Sequence, residues 1–102
     1  MPDAETIRAE VARICQSRTF CRSTRLLEFL QFTVAETLAG RQSRLKEYVI
    51  GVEVYGRGAD FDPKADSIVR SEAARLRNKL EEYYAVEGKQ CRIVISYPKG
   101  GY

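Results

Sequence analysis

The chain has 102 residues, 44% of them hydrophobic and 30% charged, with only 3 prolines and 7 glycines. That size and mix suit one globular domain with its own core and argue against a two-domain or low-complexity protein. There is no histidine, and 17 Lys and Arg face 14 Asp and Glu for a net charge of +3, so Ser-His-Asp and Cys-His nucleophile pairs, histidine-ligated zinc and the commonest general base near neutral pH are all excluded.

The first element is helical. Ala4, Ile7, Val11 and Ile14 recur at helical spacing, which places one apolar face on a helix from about Asp3, the candidate N-cap, to Gln16. Ser17 to Arg22 breaks the pattern and reads as a short connection. Ser23 can then cap a second helix in which Leu26, Leu27, Leu30, Val34 and Leu38 form a stripe widened by Phe29 and Phe32. A stripe that wide implies burial on two sides, so this is the expected central helix, ending at Gly40, which tolerates a left-handed C-terminal conformation.

A third helix is expected from Ser43, its candidate cap, to about Val54, burying Leu45, Val49 and Val52, with Tyr48 as a further candidate, and possessing a glycine, Gly51, where another helix would approach closely. Gly56, Gly58, Asp60, Asp62 and Pro63 follow as an acidic loop. The strongest signal lies beyond it. Val69, Ala73, Leu76, Leu80 and Tyr83 make one unbroken seam on a helix from about Asp66, its candidate cap, to Ala85. At about 100° per residue the opposite face centres on Asn78, with Ser71, Ala74 and Arg75 around it and Arg70 and Arg77 on a flank. Cys91 to Tyr97 is rich in β-branched residues and reads as a strand, followed by a turn at Pro98, Lys99, Gly100 and Gly101.

The charges are unevenly distributed. Residues 17–46 hold six basic against two acidic residues and 64–80 five against two, whereas 47–63 hold one against four. Basic blocks meeting on one face would attract a polyanion despite the modest total, although solvated helix faces of mixed charge give the same count. The three cysteines, Cys15, Cys21 and Cys91, form no CxxC pair, and an odd number leaves at least one unpaired. With no signal-peptide pattern and no apolar run of the roughly 18–20 residues that a membrane span needs, a cytoplasmic protein with reduced thiols is expected, Cys15 and Cys91 acting as small apolar residues.

Helix, helix, short helix, loop, long helix with a cationic outer face, strand and glycine turn is the order of a winged helix-turn-helix, mainly α with a small β-wing. An α-helix fits the major groove by width, and the residues that approach most closely must be small or slender, with Arg or Asn reaching base edges. Ser71, Ala74, Arg75 and Asn78 meet that demand.

The segment SIVRSEAARLRNKLEEYYAVEGKQCRIVISYPKGGY, Ser67 to Tyr102, resembles the recognition helix and wing of OmpR/PhoB-type DNA-binding domains of bacterial response regulators. Arg75-Leu76-Arg77 with Leu80, then Ile93-Val94-Ile95, then Gly100-Gly101-Tyr102 fill nearly all of that pattern. Upstream, LKEYVIGVEVYG, Leu45 to Gly56, is similar to the family's positioning helix with its aromatic-glycine end. The likeness covers residues 26 to 102 and implies base contact by Arg75 and phosphate contact by Arg77, with Lys99 replacing the arginine that often precedes the wing turn. The departures are Ala74 where the family often has a second arginine, a helix in place of the N-terminal sheet, and an end at Tyr102 where the second wing strand should begin. The chain also looks like the module at the N-terminus of some multidomain bacterial signalling proteins, as a fragment or an isolated relative.

The expectation is therefore one domain over residues 1–102: an N-terminal helix in 1–20, central and positioning helices with the acidic loop in 22–65, a recognition helix in 66–86 and a wing in 90–102. It would be a non-enzyme without cofactor or metal that binds double-stranded DNA in transcriptional control, nucleoid-associated when bound. Arg75, Asn78, Ser71 and Ala74 would face bases, and Arg70, Arg77, Arg44 and Lys99 would hold phosphates. A homodimer through the first helix fits its nearly neutral outer face. The competing expectation is a protein-interaction module that binds RNA polymerase or a fused signalling domain through the first two helices or the Asp60–Asp62 loop.

Overall fold

A computed structural model describes residues 3–89, 93–97, 101 and 102. Among them the order is α1 (Ala4–Cys15), α2 (Thr24–Leu38), a 3-10 turn (Gln42–Arg44), α3 (Glu47–Glu53) and α4 (Ile68–Ala85). The central position of α2 follows from its wide stripe, since it packs against both α1 and α4. Phe29 and Leu30 of α2, Ile14 of α1, Ile50 of α3 and Val69 and Leu76 of α4 are fully buried at the junction.

The helix ends show why the chain breaks where it does. Asp3 caps α1, its Oδ1 accepting from the Thr6 amide at 2.8 Å. At the C-terminus of α2, Gly40 takes φ 78°, and the amides of Gly40 and Arg41 donate to the carbonyls of Thr37 (3.1 Å) and Glu36 (2.8 Å). That pair of bonds is a Schellman motif, which satisfies carbonyls the helix itself leaves unpaired. Ser23 stands at the N-cap of α2 without a side-chain capping bond.

Three expectations need correction. Ser43 does not cap α3: it lies in the 3-10 turn, and α3 begins after Lys46, whose side chain makes no capping bond. The close approach at Gly51 comes from no helix but from the loop, because a methyl group there would collide with the ring of Phe61. Asp66 is one residue outside the cap position of α4, held by Ser67, yet its Oδ1 still accepts from the Ile68 amide at 3.1 Å.

The largest correction concerns the wing. No strand occurs among the described residues, which are helical apart from turns and loops, so a winged helix-turn-helix with a β-wing is not the architecture. Ile93 to Tyr97 forms no ladder; the Ile95 amide donates instead to the Tyr84 hydroxyl at 3.0 Å. Tyr97 packs edge-on against Phe29 with ring centroids 5.9 Å apart, and its hydroxyl bonds Thr33 Oγ1. Burial pushes the Tyr97 phenol up to about 12. The β-branched composition of this segment records a preference for a half-buried surface, and here helices supply that surface where a neighbouring strand would otherwise do so. Cys91, Pro98, Lys99 and Gly100, with the rest of the predicted wing turn, lie outside the described residues.

Two buried groups tie distant elements together. Phe20, in the connection between α1 and α2, is fully enclosed. Glu10, on α1, is 0% exposed; its Oε1 accepts from Arg13 Nε and Nη2 at 3.0 and 2.7 Å, and its Oε2 from the Tyr84 hydroxyl at 2.6 Å. A buried carboxylate persists only when its oxygens are satisfied in this way. Tyr84 therefore joins α1, the end of α4 and the Ile93–Tyr97 segment through one oxygen.

Candidate nucleic-acid interface

The seam of α4 faces the core as its spacing requires: Val69, Ala73, Leu76, Leu80 and Tyr83 are all buried. The periodicity then forces the other residues outward, and Ser71, Ala74, Arg75 and Asn78 are exposed together on the outer face. Small and polar residues thus occupy the middle of a helix surface about 12 Å long, at 1.5 Å per residue.

The cations of this surface fall into two groups according to their partners. Arg75 is 68% exposed and donates through Nη1 to Glu72 Oε2 at 3.0 Å. Arg77, half-buried on the flank, makes no ion pair among the described residues. Arg70, by contrast, is engaged twice, by Glu47 Oε2 at 3.1 Å and by the Pro63 carbonyl at 2.6 Å. It works as a clasp that fixes α3 and the loop against the first turn of α4. Lys79 is spent on the Thr19 carbonyl at 3.0 Å and points toward the Phe20 connection.

Arg44 does not join these residues through α4. It sits on the 3-10 turn, where it and Arg41 share Glu36, Arg44 Nη1 at 3.3 Å and Arg41 Nε and Nη2 each at 3.0 Å. The hydrogen bond from Arg41, with charge from both arginines, holds the Glu36 carboxyl below its ordinary value of 4.5. Lys99 lies outside the described residues. Lys46, which the sequence reading passed over, is exposed at the start of α3, next to the Glu47 that holds Arg70, and carries no ion pair among the described residues. Its signal in the sequence was its place directly before a helix that packs on α4.

Charge along α4 changes sign with position. Arg70, Arg75, Arg77 and Lys79 fall in its first two-thirds, and the exposed Glu81 and Glu82 in its last. An approaching polyanion meets the N-terminal part of the helix with the attractive end of the backbone dipole as well. The Arg75–Glu72 pair does not block this, because it engages Nη1 of the guanidinium and leaves the remaining N–H donors turned to the exposed side of the helix.

Tyr55, just after α3, is 8% exposed, packs edge-on against Phe29 with ring centroids 6.2 Å apart, and has a buried hydroxyl without a hydrogen-bond partner among the described residues. Burial pushes its phenol well above the ordinary range, and the nearby Glu72 carboxylate adds to the effect. Tyr102 is raised by burial too, with Glu47 reinforcing and Arg70 and Arg77 opposing. The Tyr102 ring lies 6.0 Å from that of Phe29 of α2.

No group of three or more Cys, Asp or Glu side chains capable of holding a metal ion occurs among the described residues. No helix among them is long and apolar enough to cross a membrane. Compared with protein-family models, curated proteins and solved structures, the chain gives no match.

Proposed function

We propose that this protein binds double-stranded DNA in the cytoplasm as part of transcriptional control, laying the N-terminal half of α4 in the major groove. The observation that carries the reading is the joint exposure of Ser71, Ala74, Arg75 and Asn78 on one face of a helix whose other face is fully used by the core. A helix of about 10–12 Å diameter matches the major groove, and Arg and Asn are the side chains that engage guanine and adenine edges in pairs of hydrogen bonds. Arg77 and Lys46, without ion-pair partners among the described residues, would neutralise phosphates. Arg70 contributes by keeping α3 in place and would release Glu47 only at the phosphate backbone.

The test is a salt titration of binding to a random-sequence duplex, followed by fluorescence anisotropy. Three phosphate contacts correspond to an affinity loss of about 40-fold between about 50 and 200 mM salt. A flat dependence, or no binding at the lower salt, would sink the DNA reading and favour a protein partner.

A further inference from the structure

The pairing of Arg75 with Glu72 is asymmetric in a way that matters for what Arg75 can recognise. The arginine side chain is 68% exposed while the glutamate side chain is only 11% exposed, so the carboxylate is a fixed point and the guanidinium is the movable one. The two residues are one helical turn apart, and among the described residues only Nη1 is engaged, at 3.0 Å. Of the five N–H donors on the guanidinium, those on Nη2 and Nε remain available beside the held one. Glu72 belongs to the buried set of α4, the residue as a whole being 9% exposed.

An unrestrained arginine on a helix surface loses rotamer freedom when it is ordered at a base edge. A carboxylate that already holds one nitrogen removes part of that cost before the partner arrives, and it fixes the plane of the fork. We propose that Glu72 is a positioning residue for Arg75, presenting its guanidinium as a rigid fork that selects guanine through O6 and N7. This rests on the DNA reading above and adds to it the base class and the residue that sets it. Glu72 touches no base itself. Were the pair only an adventitious surface contact, Glu72 would act as a negative charge near the duplex, and its neutralisation would raise affinity for every sequence alike. The two accounts therefore differ in specificity: positioning predicts that discrimination falls when Glu72 is neutralised, and an adventitious contact predicts that it stays the same.

The experiment uses duplexes recovered by the full chain from a random pool, each prepared with guanine and with 7-deazaguanine, which lacks the N7 acceptor, at every guanine in turn. Wild type should lose about 10-fold in affinity at one such position, in line with the loss of one arm of a bidentate contact. Glu72→Gln should reduce that discrimination to about 2-fold while leaving affinity for random duplex equal or slightly higher. Glu72→Asp, one methylene shorter, should do the same, and this second variant guards against a folding defect in the first. In an Arg75→Ala background neither change should alter discrimination further, which a merely structural role of Glu72 would not produce. Unchanged discrimination in Glu72→Gln, or a uniform rise in affinity for all duplexes, overturns the proposal and leaves the DNA reading intact. Wild type that binds DNA without sensing any guanine N7 does the same. A chain that binds no duplex removes the DNA reading and this proposal with it.

Discussion

The hydroxyls of Tyr84 and Tyr55 offer a paired test of how this core is held, because the same single-atom deletion should act in opposite directions at the two sites. Tyr84 donates to the fully buried Glu10 at 2.6 Å and accepts from the Ile95 amide at 3.0 Å. Burial and the Glu10 bond both push its phenol upward, so it remains a donor at neutral pH. Tyr84→Phe keeps the ring and its edge-on contact with Tyr83 but strips one donor from a buried carboxylate and one acceptor from a backbone amide. A hydrogen bond to a charged group is worth about 1.5–3 kcal/mol and the amide about 1 kcal/mol, so a loss of about 2–3 kcal/mol is expected after partial relaxation. Tyr55→Phe removes a buried hydroxyl that has no partner among the described residues, and should be neutral or stabilising by up to about 1 kcal/mol, since the desolvation cost of that hydroxyl disappears. Urea denaturation reads both: with a slope of about 1–3 kcal/mol per molar, the Tyr84→Phe midpoint falls by about 0.7–3 M and the Tyr55→Phe midpoint stays or rises. Equal shifts for the two variants would refute the reasoning, as would an unchanged midpoint for Tyr84→Phe.

Two further outcomes follow from packing and charge. Gly51→Ala, which in an exposed helix stabilises by about 1 kcal/mol, should here destabilise by about 1–3 kcal/mol because the new methyl must displace the Phe61 ring; a rise in thermal midpoint contradicts that contact. The carboxyls of Glu36, Asp66, Glu87 and Asp3 are all held below their ordinary values, chiefly by hydrogen bonds from Arg41, Arg57, Thr19 and Thr6 respectively. A depressed folded-state value means stability that is fully present above the unfolded values of 3.8 for Asp and 4.5 for Glu, and lost as pH falls through the folded ones. The thermal midpoint should therefore decline below about pH 4.5, and Glu36→Gln should make that decline shallower; a midpoint that rises on acidification has the wrong sign.

The long helix α4 was legible because it writes its buried face into the sequence at helical spacing, and the seam Val69, Ala73, Leu76, Leu80 and Tyr83 is buried throughout; in the short α3 the expected face failed, since Ile50 and Gly51 are buried while Leu45, Val49 and Val52 are half-buried and Tyr48 is exposed. The outer face of α4 follows by subtraction. What the sequence conceals is anything decided by contacts between distant segments. Phe20 stands alone in a polar connection, without periodicity to mark it as core, and Glu10 carries a charge that nothing local predicts to be enclosed. Gly51 signalled a close approach without saying from where. The strand expected at Cys91 to Tyr97 fails for the same reason: β-branched residues state a preference for a surface, and among the described residues α2 and α4 provide it. Of the proposed contact residues, Arg75, Asn78, Ser71 and Ala74 come together on α4. Arg70 is a clasp between Glu47 and Pro63, and Arg44 belongs to the Glu36 cluster, because an arginine's reach of several bonds lets partners elsewhere in the fold choose its position.

The central claim is that the N-terminal half of α4 is the surface that meets DNA. Backbone amide chemical shifts, recorded while a duplex selected from a random pool is titrated into the labelled full chain, test it most directly. The largest changes should fall on Ser71, Ala74, Arg75 and Asn78, with smaller ones at Lys46 and Arg77, and Arg75→Ala should weaken them on the selected duplex by about 1–3 kcal/mol of binding free energy. Changes confined to α1 or to the Asp60–Asp62 loop, with α4 silent, would contradict it.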